Sequence, residues 1–320
     1  MKATVHIPVL LSEAIEHLHI QHAKTYIDAT FGGGGHTQAI LAADDKVRVL
    51  AIDQNADAIA LGRQLQPQFG DRLLLAQGNF AGLVELARAA GIMSVAGILF
   101  DLGLSSDLLA GARGFSFHDA SDLDMRFDTS TELTAADFIN YASLEDLIFT
   151  FSTFGQEPYS RTIARAIVDA RSRRDIRSGA ELASLVERAV FSKQRQEQKH
   201  GKHKHPATRI FQALRIVVNG EFQSLSRALE QSLDILEPGG RLVVISYHSL
   251  EDRIVKNFLK AKAGKCTCFQ PEDLCTCSRE KLVRILTPKP VKPSDTEIQN
   301  NPRSRSALLR TADKLSVLSP

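Results

Sequence analysis

The chain has 320 residues, 43% of them hydrophobic and 24% charged, with 20 Gly and 11 Pro. That composition excludes a disordered, collagen-like or low-complexity protein and can bury a substantial core. No run approaches the ~18 consecutive apolar residues of a membrane span, and the start of the chain lacks the apolar core and cleavage site of a signal peptide, so a cytoplasmic protein is expected. Formal net charge is only +2, but the basic residues cluster: six arginines against two aspartates in 161–177, seven Lys/Arg and three histidines against Glu197 in 193–215, and nine basic against four acidic residues in 279–314. Such clusters suit a polyanion such as RNA, and equally a set of solvated helix faces.

Residues 25–30 read as a strand, 31–36 as a glycine turn and 38–43 as a helix. A buried strand over 47–53 ends on Asp53, a helix follows over 55–66, and strands at 72–76 and 95–100 flank a helix over 83–90. This alternation predicts a parallel sheet covered on both faces. From 106 to 205 no strand pattern is present, only amphipathic stretches at 134–149, 159–173 and 180–195. We therefore expect a helical insert, 106–208, within an α/β domain formed by 1–105 and 209–320. A long helix over 208–237, a Pro238-Gly239-Gly240 turn and a strand over 241–246 resume the sheet, and strands at 281–286 and 306–310 close it around a proline-rich loop. The tract 199–205, with three histidines, reads as a basic loop in preference to a metal site.

Four consecutive glycines, Gly32 to Gly35, let the backbone approach a ligand closely, and the N–H groups opening the next helix suit an anionic group. A dinucleotide fingerprint would need its third glycine at Thr37 or Gln38, and no Lys-[Ser/Thr] follows the glycines, which disfavours a nicotinamide cofactor and a phosphate loop. Asp53 stands about twenty residues on, where an acid accepts ribose hydroxyls. A glycine loop and a ribose acid without phosphate chemistry point to S-adenosylmethionine; a tight turn with a solvated aspartate is the plainer alternative.

The fourth strand runs into Asp101-Leu-Gly-Leu-Ser-Ser106 and the fifth into Tyr247-His-Ser-Leu-Glu-Asp-Arg253. Both lie at the carboxyl edge of a parallel sheet, where ligands bind. Methylating an exocyclic amine needs hydrogen-bond acceptors that make its lone pair available, and Asp101, Ser105 and Ser106 are of that type. Tyr247 suits stacking on a flipped base or packing in the strand, and His248 suits a base contact. Asp101, Ser105, Tyr247 and His248 form the expected catalytic set. His36, beside the glycines, reads as a ligand contact or as helix-start packing. Cys266-x-Cys268 and Cys275-x-Cys277 argue against disulfides and admit a zinc site, an iron–sulfur site or a loop of thiols; no metal ligand is assigned.

The segments His6-Ile-Pro-Val-Leu-Leu11, Asp28-Ala-Thr-Phe-Gly-Gly-Gly-Gly-His36, Ala51-Ile-Asp53, Asp101-Leu-Gly-Leu-Ser-Ser106, Arg113-Gly-Phe-Ser-Phe117, Asp124-Met-Arg126, His205-Pro-Ala-Thr-Arg209, Phe211-Gln-Ala-Leu-Arg-Ile216, Val218-Asn219, His248-Ser-Leu-Glu-Asp-Arg253 and Asn301-Pro-Arg-Ser-Arg-Ser-Ala-Leu-Leu-Arg310 together resemble the RsmH (MraW) family. Its members are bacterial 16S ribosomal RNA cytosine-N4 methyltransferases. The resemblance spans nearly the whole chain. It implies a class I (Rossmann-like) S-adenosylmethionine-dependent methyltransferase fold with an all-helical domain inserted after the fourth strand. It further implies a target cytosine, nucleotide 1402 of the decoding centre, within the assembled small (30S) subunit, and no membrane partner. Cofactor contacts would fall on Gly34, Gly35, His36, Asp53, Phe80 and Asp101. The chain departs from the family at Leu108, where a polar cofactor contact is usual, at Asp122 in place of a proline, and at Gln156 in place of a glutamate. An amino methyltransferase of DNA or protein and a non-catalytic ribosome-assembly factor remain as other readings, and a homodimer stays open.

Overall fold

The computed structural model describes residues 7–103, 113–116, 121–197, 206–266 and 280–316. Ser105, Ser106, Leu108, the 199–205 tract, Cys268, Cys275 and Cys277 lie outside the described residues; Cys266 is exposed. The chain divides into two compact units, Met1–Gly103 with Phe222–Pro320, and Leu104–Glu221.

The first unit opens with α1 (Leu11–Leu18), β1 (Thr25–Asp28), α2 (Gly35–Ala43), β2 (Arg48–Asp53), α3 (Ala56–Phe69), β3 (Leu73–Gln77), α4 (Leu83–Ala89) and β4 (Val95–Asp101). It resumes with the helix Glu221–Ile235, β5 (Leu236–Ser246), the helix Ser249–Lys262, β6 (Val283–Ile285), the helix Asp295–Asn300 and β7 (Leu308–Lys314). The seven strands lie in the order β3-β2-β1-β4-β5-β7-β6. Pairs among β1 to β5 are parallel, whereas β7 runs antiparallel to both β5 and β6. Strand order reverses at β1, which opens the ligand crevice of a doubly wound sheet between the carboxyl ends of β1 and β4.

Alternation of side chains along each strand builds one core per face. Ile27, Leu50, Ile52, Ile98, Phe100, Leu242 and Val244 pack on one side with Leu229 of the helix Glu221–Ile235. Tyr26, Val49, Ala51, Leu99, Val243 and Ile245 pack on the other with Leu18, Ile40 and Leu41. Three expectations are corrected here. The stretch read as one helix over 208–237 is two, Pro206–Asn219 and Glu221–Ile235, broken where Gly220 takes φ +57°. Pro238-Gly239-Gly240 lies inside β5, where the register to β4 shifts between Val95 and Gly97; the irregularity accommodates a residue that cannot donate to a sheet. The sheet is mixed, because the last strand returns antiparallel.

The second unit is helical: Ala135–Tyr141, Leu144–Thr153, Ser160–Arg171, Gly179–Glu197 and Pro206–Asn219. The stretch expected as one amphipathic segment over 134–149 divides at Ser143, whose hydroxyl accepts from the Asp146 amide and starts a new helix. This unit runs to Glu221, beyond the expected 208, because Ile210, Phe211 and Leu214 share a core with Leu147, Phe151, Ile163 and Val186. Several arginines of the basic clusters hold structure. Arg171 donates to the Ile139 and Ala142 carbonyls at 2.6 Å each, Arg209 lies 3.6 Å from the buried Glu157, and Arg215 grips Glu221 through two bonds of 2.7 and 2.8 Å. Asn219 accepts from the Phe127 amide and donates to the Met125 carbonyl, both at 2.8 Å, so it ties the 125–127 loop to the end of a helix.

Asp124 accepts two bonds from the Arg126 guanidinium, at 2.7 and 2.9 Å, and that pairing holds its carboxyl below the usual carboxylate range. A carboxyl depressed by folding contributes stability above its unfolded pKa and loses it as pH falls through the lower folded value. Asp124→Asn is expected to cost about 1–2 kcal/mol at neutral pH, with the difference from the parent narrowing as pH falls through the lowered folded value; urea denaturation across an acid pH series checks this. Among the described residues, no helix is long and apolar enough to cross a membrane.

Candidate active site at the carboxyl edge of the sheet

Three acidic residues end adjacent parallel strands: Asp28 on β1, Asp53 on β2 and Asp101 on β4. Asp28 is buried and accepts from the Thr37 hydroxyl at 2.7 Å and from the Thr30 amide at 3.1 Å. Burial pushes its carboxyl above the usual range, against the pull of the neighbouring His36 and Thr37. Thr37, which stands where a dinucleotide fingerprint would need glycine, thus anchors the first turn of α2 to β1. Thr30 in turn accepts from the Asp101 amide at 2.6 Å, joining the loop after β1 to the end of β4.

The glycine turn is shaped from two sides. Gly34 sits at φ +74°, and a Cβ there would lie 2.7 Å from the Phe31 ring. A Cβ on Gly35 would lie 2.2 Å from Pro8. The strap at residues 7–10 therefore crosses the start of α2, and it is held there by three further bonds. Val9 offers its carbonyl to His36 Nε2 at 3.1 Å, the Leu10 amide donates to Glu297 at 2.8 Å, and Asn301 donates to the Ile7 carbonyl at 3.0 Å. Asp53 braces the turn from below, accepting from the Gly32 amide at 2.8 Å and from the Asn55 amide at 2.8 Å. Burial raises its carboxyl pKa despite those two bonds.

At the next position along the edge, the Tyr247 hydroxyl donates to Asp101 Oδ1 at 2.6 Å. Burial, then the Asp101 charge, raises the phenol well above its ordinary value. Asp101 Oδ2 faces His36 Nδ1 at 3.7 Å, and Gly103 lies so close to the Tyr247 ring that a Cβ would come within 2.9 Å. Glu251, buried in the first turn of the helix Ser249–Lys262, accepts from the amides of Tyr247 at 2.8 Å and His248 at 3.2 Å.

The structure thus brings Asp101, Tyr247 and His36 together. It places His248 differently from a base contact: the ring caps its own helix, with Nδ1 accepting from the Glu251 amide at 3.3 Å and Nε2 lying 3.0 Å from a Glu251 carboxylate oxygen. Phe80 packs edge-on against Phe100 at 5.7 Å between ring centroids, beside the ends of β3 and β4. Ser105 lies outside the described residues. Asp28, Thr30, Thr37 and Glu251 were absent from the expected site. Of these, Glu251 carried a readable signal, an acidic residue three positions after the residue that opens the helix.

A doubly wound sheet with a glycine turn after β1, an acid ending β2 and an acid–phenol pair at the ends of β4 and β5 defines a class I, S-adenosylmethionine-dependent methyltransferase. The chain belongs to the MraW methylase family, whose model matches residues 3–315. It is 48% identical over 316 residues to the ribosomal RNA small subunit methyltransferase H of Thermomicrobium roseum, covering 98% of this chain and 95% of that one. It is 44% identical over 312 residues to the protein of the same name from Carboxydothermus hydrogenoformans, covering 97% and 98%. An rRNA methylase crystal structure from Streptococcus thermophilus shares 13% identity at a TM-score of 0.40, covering 98% of this chain and 100% of that one.

Proposed function

We propose that the protein transfers a methyl group from S-adenosylmethionine to the exocyclic N4 of a cytosine, nucleotide 1402 in the decoding centre of 16S ribosomal RNA, within the small (30S) subunit. The observation that carries this reading is the Asp101–Tyr247 pair at 2.6 Å beside the glycine turn, in a chain whose full-length relatives are named for small-subunit rRNA methylation.

The residues present fit the cofactor. The turn at Gly34 has no room for a side chain, and the first amides of α2 suit the cofactor's carboxylate. Asp53 keeps lone pairs beyond those its two amide partners use, enough to accept ribose hydroxyls, and Phe80 offers an apolar wall to adenine. When bound, the cofactor supplies an electrophilic methyl group on a sulfonium.

Asp101 does the rest of the chemistry. Tyr247 occupies Oδ1, so Oδ2 is the oxygen left to accept an N–H from the cytosine amine, which draws the nitrogen lone pair out of the ring and provides a site for the departing proton. The raised phenol pKa keeps Tyr247 a donor throughout the working range, so it fixes the carboxylate and does not take the proton. His36 lines the same carboxylate, and Glu251 holds the Tyr247 and His248 backbone in place. The helical unit, with its exposed Arg161, Arg165 and Arg173, serves as the RNA-recognition domain.

The test is methyl transfer from labelled S-adenosylmethionine to isolated small subunits, naked 16S RNA and DNA, with Asp101→Ala as control and nucleoside analysis of the product. N4-methylcytidine on the subunit supports the reading. Label in DNA or protein overturns the substrate, and cofactor binding without transfer to any acceptor favours an assembly factor.

A further inference from the structure

Beyond the reactive edge, a groove of about 510 Å³ runs between the helix Ser249–Lys262 and the β6–β7 corner of the sheet. Its floor is apolar, with Leu259 and Val283 buried beneath it. Among the described residues six cations border it: Lys256, Lys260, Lys265, Lys281, Arg284 and Arg310. The two arginines are already paired, Arg310 with Asp252 at 2.6 and 3.1 Å and Arg284 with Asp313. The four lysines have no acidic partner among the described residues.

Backbone geometry converges these lysines. Lys256 and Lys260 stand one turn apart on the same helix face. The helix end is stitched to the approaching chain by the Leu282 amide on the Lys262 carbonyl at 2.7 Å and by a bridge between Ala263 and Lys281. Lys265 is folded back by its amide on the Lys260 carbonyl at 3.0 Å. Cations in the last turn of a helix also complement its dipole, but that explains neither Lys256, a turn earlier, nor Lys281, which comes from another segment. Among the described residues no aromatic ring borders the groove, and its lining holds charge where base stacking would need rings.

We propose that this groove binds the phosphodiester backbone of the RNA substrate, as a sequence-independent clamp separate from the carboxylate that meets the base. The inference rests on the RNA reading above. Unpaired ammonium groups along a concave track match the charge of a single strand, and Lys256 and Lys260 stand about 6 Å apart along the helix axis.

The test combines Lys256→Gln, Lys260→Gln, Lys265→Gln and Lys281→Gln in the full chain and measures 16S RNA binding by filter retention from low to high salt. Cofactor binding and melting temperature report the fold, and a matched set of Lys→Arg substitutions keeps the charge. The expected result is binding at least about tenfold weaker at low salt, with the slope of log K against log salt shallower by about 3, from four lost phosphate contacts at roughly 0.7 each. Cofactor affinity should be unchanged, the subunit KM raised with little change in kcat, and the arginine set close to the parent. An unchanged slope in a folded variant overturns the groove and leaves the functional reading intact. Conversely, a parent protein that binds RNA through these lysines yet methylates no cytosine overturns the function and leaves the groove standing. Polyglutamate competing as well as RNA would mark an acidic protein as the occupant and overturn the proposal.

Discussion

Asp101→Asn is expected to lower the single-turnover rate of methyl transfer to small subunits by about 10²–10⁴-fold, the range that positioned acid–base and electrostatic groups contribute. The amide preserves shape but has only one acceptor oxygen. If that oxygen keeps the Tyr247 hydroxyl, found 2.6 Å from Oδ1, the substrate amine meets an NH₂ donor in place of an acceptor. If the amide turns over, the phenol loses its partner. Tyr247→Phe removes the brace and leaves the acceptor, so it should cost about tenfold in rate and about 1–3 kcal/mol in stability, the penalty for a buried acceptor left without its donor. Rapid-quench measurements at saturating cofactor, beside calorimetric cofactor binding, separate the two effects. A loss of less than tenfold for Asp101→Asn would remove this carboxylate from the reacting atoms.

Gly34→Ala should destabilise the protein by about 2–4 kcal/mol, combining the left-handed backbone penalty with overpacking. The added methyl would stand 2.7 Å from the Phe31 ring at φ +74°. Gly91→Ala is the matched control. It has the same sign of φ, +75°, but nothing lies within 4 Å of the added carbon, so it should cost only the backbone penalty of about 1–2 kcal/mol. Urea unfolding of both variants isolates the steric part. Cofactor affinity should fall for Gly34→Ala alone, because only that glycine shapes the turn over α2. Equal losses in the two variants would show that the turn has room to spare.

The α/β alternation was legible because buried parallel strands are short apolar runs and their helices are amphipathic. Thr25–Asp28, Arg48–Asp53 and Val95–Asp101 all end on acids that a linear reading can see. Strand direction is another matter: nothing in the residues of Leu308–Lys314 marks it as antiparallel. The single long helix expected over 208–237 overlooked Gly220, whose positive φ ends one helix before the next begins.

Within the site, Asp101, Tyr247 and the glycines were visible as residue types, but their partners are distant in sequence. Gly35 is small because of Pro8, twenty-seven positions earlier, and Asp101 is oriented by Tyr247, 146 positions later. His248 looked like a substrate contact because it stands beside Tyr247. Its place one residue before a helix, with Glu251 three positions on, turns its ring toward that helix. Charge clusters mislead in the same way, since Arg171, Arg209 and Arg215 spend their donors on carbonyls and acids inside their own unit.

The strap over α2 also sets an order of assembly during synthesis. Residues 7–10 are made long before the segment that holds them, since Leu10 and Ile7 are tied to Glu297 and Asn301, 287 and 294 positions later. β5 likewise finds β4 only after the whole helical unit has been made. A nascent chain can complete its helical unit early, while the strap over its glycine turn stays untied until residues 297–301 have been made. Truncation before Glu297 would therefore free the strap, and methyl-donor binding should arise only once the chain has been made through Asn301.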